Sequence, residues 1–286
     1  MDSYEERMQR HMARLKRLRP IDDTLMRVMF HDNPKIAQEI LRIILDKPDL
    51  IVTSCKAQDD LKRLGGARSL CLDALAVDGE GRFYDIEVQR DSAEASPRRA
   101  RYHASVLDIE ALDANDGFDK LPESYVIFIT EEDVYKRGQP LYQFERVNTA
   151  TGEGFNDGQH IIYANAQYRG DDALGNLMHD FMCAEADGMR LGEFKTTMRY
   201  LKENKEGVKN MCRVMEEALE EEKKYSYDAG VQYGIEQGIE RGIEQGQLAS
   251  RLVTARNLLK MGLPIEMIIK GTGITREQLA GLMSEA

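Results

Sequence analysis

Two acidic residues lie in segments whose other features favour burial. Asp73 interrupts the apolar run LCLDALAV at 70–77, and Glu87 lies in FYDIEVQR at 83–90, where apolar and polar residues alternate. Alternation with a period of two is typical of a β-strand with one buried face. Burying an unpaired carboxylate costs several kcal/mol even after the protein relaxes. Each acid is therefore expected to have a partner.

The segment between these two strands predicts that the acids meet. The sequence DGEG can form a hairpin with a three-residue loop, in which Gly81 takes the left-handed conformation that such loops require. Asp78 then lies opposite Arg82, and in the same register Asp73 lies opposite Glu87 on one face of the sheet. Directly opposed like charges destabilise a sheet by roughly 0.2–1 kcal/mol. The pair therefore needs a cation.

Two kinds of cation meet this need, and the spacing leaves both open. A lysine or arginine from elsewhere in the chain could form a structural salt bridge. Alternatively, the two acids could bind a divalent metal ion, for which oxygen ligands without a histidine or cysteine cluster favour magnesium or manganese over zinc. Gln89 shares the face of Glu87 and could then orient a metal-bound water. Asp85 shares that face too and is a secondary candidate.

The elements that position these residues follow from patterns along the chain. Ser96 and Pro97 are typical of the first residues of a helix, and the uninterrupted apolar run at 125–130 is typical of a central strand. Their order predicts an α/β sandwich. One helix is predicted to start near Asp22 or Asp23, and further helices are predicted at 34–45, at 96–112 and over most of the chain from 171. The predicted strands are 51–54, 69–77, 82–89, 125–130, 141–147 and 160–166.

Composition limits the class of protein. The 286 residues are 42% hydrophobic, enough for a sizeable core, and no apolar run is long enough to cross a membrane. The charged N-terminus does not resemble a signal peptide, and four scattered cysteines suggest neither disulfides nor a zinc site. We therefore expect a cytoplasmic protein without a membrane partner. The net charge of −11 argues against nucleic-acid binding, which usually requires a basic surface.

Longer motifs accompany the two acids. They occur in the order DDTLMRVMF (22–30), LDALAVDGEGRFYDIEVQR (72–90), RRARYH (98–103), LPESYVIFITEEDVYKRGQPLYQFERV (121–147) and DGQHIIYANAQY (157–168). With these motifs, residues 20–190 resemble the PD-(D/E)XK nuclease superfamily. The resemblance is closer to its recombination-promoting nuclease and transposase family, in which a glutamine replaces the lysine of the motif.

This resemblance implies a fold and a reaction. The fold would be an α/β restriction-endonuclease-like core, with a mixed central sheet flanked by helices, followed by an all-helical C-terminal tail. The reaction would be metal-dependent hydrolysis of DNA phosphodiester bonds, with Mg²⁺ as cofactor and Mn²⁺ or Ca²⁺ as alternatives. Asp73, Glu87 and the Val88 carbonyl would bind the metal. Gln89 would take the lysine position, although glutamine cannot neutralise a developing anion as lysine can.

The resemblance also implies roles outside the two strands. Asp23 matches an acid on the family's first helix and would be an auxiliary ligand, acting through water. Arg98, Arg101 and Tyr102 lie on one side of the predicted helix because they are three and four residues apart. In the family this helix flanks the active site, so the three residues are predicted DNA contacts, with Arg101 on a phosphate. A solvated charged stripe is the alternative.

The chain is predicted to have five segments. Glycines recur every fourth residue from 230 to 246 at a cost of about 4–5 kcal/mol to an isolated helix, which favours a linker over a helix. A helix whose glycine stripe packs against a second copy would instead give a homodimer. The segments are a basic N-terminal arm at 1–20, expected to be a frayed surface helix; a nuclease-like domain at 21–190; a helical extension at 191–229; the Gly/Ile/Glu/Gln repeat at 230–246, as linker or helix; and a small helical segment at 247–286, resembling a helix-turn-helix or a packing module.

These features predict a Mg²⁺-dependent deoxyribonuclease, a hydrolase that acts as a DNA endonuclease in recombination or in mobile elements. The alternative is a catalytically degenerate nuclease-fold protein that binds partners or oligomerises through its helical tail. The complete set of Asp73, Glu87 and Gln89 favours the enzyme, and the acidic net charge favours the alternative.

Overall fold

A six-stranded mixed sheet forms the centre of the protein in a computed structural model, which describes residues 4–60 and 71–284. The strand order is β1-β2-β3-β4-β6-β5. Strand β2 runs antiparallel to both β1 and β3. Strands β3, β4 and β6 are mutually parallel, and β5 runs antiparallel to β6. The strands are β1 (Val52–Asp60), β2 (Cys71–Asp78), β3 (Phe83–Gln89), β4 (Ser124–Thr130), β5 (Leu141–Phe144) and β6 (Gln159–Asn165).

Helices cover the sheet and continue to the end of the described chain. This arrangement confirms the predicted α/β fold with a mixed sheet and a helical C-terminal region. The helices are α1 (Tyr4–Arg17), α2 (Asp23–Phe30), α3 (Pro34–Ile44), α4 (Pro97–Ala111), α5 (Ala173–Phe181), α6 (Gly192–Glu203), α7 (Lys205–Lys260), α8 (Ile265–Thr272) and α9 (Arg276–Ser284). The predicted positions 1–3, 69–70 and 285–286 lie outside the described residues.

The β2–β3 hairpin has the predicted register. The Asp78 backbone N–H donates to the Arg82 carbonyl at 3.2 Å, and Gly81 has a φ of 79°. The Asp78 carboxylate fixes the loop, because it accepts hydrogen bonds from the Arg82 backbone N–H at 3.0 Å and from the Tyr84 hydroxyl at 2.7 Å. Regular pairing then continues to Ala74 opposite Ile86.

The two faces of the sheet pack against different helices. On one face, Ile86 of β3 belongs to the larger core together with Leu25 of α2 and Ile40 of α3. On the other face, Ala104 of α4 packs in a smaller core with Phe128 of β4. All seven residues of β4 are buried, as expected for a central strand covered on both sides. The alternating side chains of β3 therefore point either into the larger core or towards α4.

Helix α1 is part of the core, which corrects the expectation of a frayed surface helix. Leu15 is 1% exposed and belongs to the larger core, against which Met8 and Met12 also pack. These three residues recur at helical spacing and form one apolar stripe. The six basic residues among the first twenty suggested an exposed terminal helix, but the apolar stripe packs α1 against the core.

The chain forms two compact units, one up to Ala218 and one from Leu219 onward. In the second unit, the glycine repeat lies within helix α7 and does not form a flexible linker. A Cβ atom at each of its five glycines would have no described atom within 4 Å, and Ile239 is 58% exposed. The end of α7 packs with α8 and α9 around Ala255, Ile268 and Leu279. In the described residues we find no helix that combines the length and apolarity of a membrane span.

The packing of α1 can be tested by Leu15→Ala. Because this side chain is almost fully buried, the substitution should lower the free energy of unfolding by about 2–5 kcal/mol. The exposed neighbour Lys16 provides a control, since Lys16→Ala should change stability by less than about 0.5 kcal/mol. Urea unfolding followed by far-UV circular dichroism measures both. Equal effects of the two substitutions would contradict the assignment of α1 to the core.

Candidate active site

The acids Asp73 and Glu87 lie side by side just beyond the last regular pair of β2 and β3. The Asp73 backbone N–H donates to Glu87 Oε1 at 2.9 Å, and the Val88 backbone N–H donates to Asp73 Oδ2 at 2.9 Å. The two carboxylates therefore accept main-chain hydrogen bonds at this position of the hairpin. The structure brings the two predicted acids together, and each one orients the other through the backbone.

The surroundings of both acids disfavour their ionised forms. Burial, followed by the charge of Asp85, raises the pKa of Glu87 to about 8. Burial and the charge of Glu87 raise the pKa of Asp73 well above its ordinary value, although the hydrogen bond from Val88 opposes this shift. Each raised pKa means that the protein supplies too little positive charge for two ionised carboxylates. A cation that binds here would be stabilised by both groups.

Arg99 on helix α4 provides part of that positive charge. Its Nη2 lies 3.4 Å from Glu87 Oε2, longer than the about 2.7–2.9 Å of a strong charge-assisted hydrogen bond. The same guanidinium also contacts Glu94 at 3.5 Å and remains one-third exposed. Within residues 4–60 and 71–284, no lysine or arginine forms an ion pair with Asp73. The structural salt bridge considered from the sequence therefore exists in weak form, on one acid of the pair.

A buried histidine and a second aspartate lie behind Glu87. His103 Nδ1 is 2.7 Å from Asp85 Oδ2, and both side chains are fully buried. Arg99 Nε donates to His103 Nε2 at 3.3 Å, so the imidazole proton must be on Nδ1, from which it is donated to Asp85. Burial lowers the pKa of His103 to about 4, which keeps the ring neutral. Asp85, His103, Arg99 and Glu87 thus form one connected hydrogen-bond chain.

The donor set fits a divalent cation. Ligand atoms of Asp85, Glu87 and His103 all lie within 4.8 Å of one another, and this buried Asp–Glu–His group could bind a metal. For His103 to be a ligand, its ring would have to give up the hydrogen bond to Asp85 or the one from Arg99, because a metal needs a free nitrogen lone pair. Asp85 Oδ1 is buried and has no hydrogen-bond partner among the described residues. An orphaned carboxylate oxygen beside a second acid is the kind of group that a hard cation satisfies. Glu87 belongs both to this group and to the predicted pair with Asp73.

Two further predicted residues lie near the pair. Gln89 is buried, and its side-chain nitrogen donates to Glu87 Oε2 at 3.4 Å. Asp23, at the start of α2, is exposed and pairs with Arg27 at 3.0 Å. Its charge also contributes to the raised pKa of Asp73, so the two carboxylates are within electrostatic reach. The role of Asp23 as an auxiliary ligand and that of the Val88 carbonyl remain predictions.

The face of helix α4 that lies against the acids is not the one that carries Arg98, Arg101 and Tyr102. Arg98, Arg101 and Tyr102 are exposed, and their predicted contact with DNA stays a prediction. Arg99 and His103, four residues apart, instead face the carboxylates. Sequence reasoning missed both. The signal for His103 was available, since it falls in the same helical stripe as the buried residues Ala100, Ala104 and Leu107.

A mixed sheet with paired carboxylates on two adjacent strands, flanked by an arginine-bearing helix, defines the class of PD-(D/E)XK nuclease folds. A comparison with protein-family models matches residues 20–169, more than half of the 286 residues, to the PD-(D/E)XK nuclease family transposases. The chain belongs to this family. Searches of curated proteins and of solved structures found no match. Membership associates the chain with nucleases, mobile elements and divalent metals.

The raised pKa of Glu87 predicts a pH-dependent stability in metal-free solution. Protonated Glu87 contributes stability that is complete below its ordinary pKa of 4.5 and is lost as the pH rises through about 8. The melting temperature in EDTA should therefore fall between pH 5 and pH 8, and Glu87→Gln should make this fall smaller. Exposed Glu132 serves as the control, since Glu132→Gln should leave the profile unchanged. A wild-type profile that Glu87→Gln does not alter would contradict this electrostatic assignment.

Proposed function

We propose that the protein is a metal-dependent DNA endonuclease that hydrolyses phosphodiester bonds in recombination or in mobile elements. The observation that carries this proposal is the mutual orientation of Asp73 and Glu87. Glu87 accepts a hydrogen bond from the Asp73 backbone N–H and Asp73 accepts one from the Val88 backbone N–H, each at 2.9 Å, and both carboxyl groups have raised pKa values. Family membership supports a nuclease, and the oxygen ligands of the Asp73–Glu87 pair support magnesium, with manganese or calcium as alternatives.

The proposed mechanism assigns a task to each side chain. Asp73 and Glu87 would hold the cation, which when bound acidifies a water molecule and stabilises charge on the phosphate oxygens. The Val88 N–H keeps the Asp73 carboxylate turned towards Glu87. Gln89 would orient the attacking water through its amide, because it already lies against Glu87.

Arg99 would contribute in a second way. Its contacts with Glu87 and Glu94 are 3.4 and 3.5 Å long, so they are weak and can be exchanged. With Asp73 and Glu87 holding a cation, the Arg99 guanidinium would be free to bind a phosphate oxygen, for which its planar fork is well suited. Arg98, Arg101 and Tyr102 would contact DNA further along the exposed side of α4.

Cleavage of supercoiled plasmid tests the proposed carboxylate pair. The variants Asp73→Asn and Glu87→Gln preserve shape but remove negative charge, so each should lower the cleavage rate with Mg²⁺ or Mn²⁺ by about a hundredfold or more. Glu132→Gln removes an exposed carboxylate as a matched control and should retain the wild-type rate. Nicked and linear products are quantified on agarose gels.

Other outcomes of this experiment point elsewhere. Equal cleavage by wild type and both acid variants would place the activity in a contaminant or at another site. Absence of cleavage by every protein with Mg²⁺, Mn²⁺ and Ca²⁺ would favour the second candidate function, a degenerate nuclease fold that binds partners through its helical tail. The exposed isoleucines 235, 239 and 243 beside the glycines of α7 support that candidate, as they also support a homodimer.

Gln89 should affect rate more than metal affinity, because it is assigned to the water and not to the cation. Gln89→Ala should lower the cleavage rate by about ten- to a hundredfold. The dissociation constant for Mn²⁺, measured by calorimetry, should change less than about threefold, whereas Glu87→Gln should weaken Mn²⁺ binding by more than about tenfold. Parallel loss of metal affinity in Gln89→Ala would assign this side chain to the metal site instead.

A further inference from the structure

A basic cleft of about 690 Å³ lies between α1 and the start of α2. Five arginines and two aspartates line it, so its charge is opposite in sign to the net charge of −11 for the whole chain. The charged lining residues are Arg10, Arg14, Arg17, Arg19, Asp22, Asp23 and Arg90.

Helix α1 has two opposite faces with different tasks. Its apolar stripe of Met8, Met12 and Leu15 packs against the core. Arg14 and Arg17, with Arg10 one turn earlier, recur at the same spacing on the other side and line the cleft. Since the core contacts fix the rotation of the helix, the arginine side chains are directed by the fold and are not distributed at random around a frayed terminus.

Only part of the positive charge in the cleft is neutralised by neighbouring acids. Arg19 contacts Glu131 at 2.9 Å, and Arg90 contacts both Glu131 at 2.8 Å and Asp22 at 3.2 Å. Arg14 and Arg17 are exposed and form no ion pair with any residue in the described part of the chain. These two guanidinium groups are therefore the ones most available to an anion from solution.

The cleft adjoins the candidate active site, because its lining residue Arg90 directly follows Gln89 in the chain. Asp23 also lines the cleft, and its charge acts on Asp73. A polyanion bound along α1 would therefore continue towards the paired carboxylates. From Arg10 to Arg17 the helix axis advances about 10 Å, which corresponds to about three phosphates of one nucleic-acid strand at about 3.4 Å each.

We propose that this cleft binds the phosphodiester backbone of the DNA that enters the active site. Guanidinium groups match phosphate oxygens in geometry, and several of them along one face recognise a repeating anion better than a single small one. This role of the cleft rests on the proposed nuclease function, because that function requires a DNA strand to reach Asp73 and Glu87. Helix α1 precedes residues 20–169, so the family match does not cover it.

Basic residues at the end of α1 have another physical effect that must be separated from phosphate binding. Arg14, Lys16 and Arg17 lie in the last turn, where positive charge stabilises the helix dipole. Lys16 shares this effect but does not line the cleft. Lys16→Gln is therefore a matched control on the same helix, whereas the double variant Arg14→Gln/Arg17→Gln removes charge from the cleft.

Binding of a fluorescent 20-base-pair duplex to the full-length chain in EDTA tests the cleft without cleavage. The double glutamine variant should bind about tenfold more weakly at low salt, and the slope of log affinity against log salt should fall by about two. Lys16→Gln should stay within about twofold of wild type. Arg14→Lys/Arg17→Lys keeps the charge and should restore most of the slope, and circular dichroism checks that all variants remain folded.

The outcomes separate this inference from the proposed function. The cleft assignment would be overturned if the double glutamine variant kept its affinity for the duplex, or if Lys16→Gln lost as much affinity as the double variant. It would also be overturned if the wild type did not bind DNA, or if it bound phosphatidylserine vesicles in preference to DNA. Plasmid cleavage is measured separately. If the protein binds DNA through Arg14 and Arg17 but never cleaves it, the cleft assignment stands and the proposed nuclease activity is wrong.

Discussion

The structure depends on how it accommodates three carboxylates around one buried stretch of strand. Asp85 and Glu87 are fully buried on β3, and Asp73 meets Glu87 from β2. Burial raises the pKa of all three groups, because the low-polarity interior disfavours concentrated negative charge. The fold tolerates this arrangement through main-chain donors and a buried histidine. Without a metal, protonation relieves the remaining repulsion, and a bound cation would take the place of the proton.

Helix α4 connects this electrostatic constraint to the proposed chemistry. His103 holds Asp85 on one side and accepts from Arg99 on the other, and Arg99 reaches Glu87. Helix α4 thereby positions both the neutral imidazole of His103 and the positively charged guanidinium of Arg99. The weak contact between Arg99 and Glu87 explains how one arginine can partly neutralise the metal-free acids and still serve a phosphate when a cation is bound.

The same constraint is compatible with the proposed action of an acidic chain on DNA. The negative charge at the active site is buried or balanced, while the arginines of α1 lie together in one cleft next to Asp23. Net charge averages over the whole surface, but a nucleic acid responds to the local field where it binds. In the second unit, the exposed glycine and isoleucine stripe of α7 is the surface that the alternative function would use for assembly.

The sequence by itself determined the local features: the strands around Asp73 and Glu87, the Gly81 loop that sets their register, the Ser96 cap of α4, and family membership. These depend on periodicity and on residues near one another in the chain. Only the tertiary structure decided that α1 packs into the core and that Arg99 and His103 face the acids. Helical spacing places His103 and Leu15 on the apolar stripes of their helices. It does not encode which distant strand or core each stripe packs against, and the tertiary structure decides that.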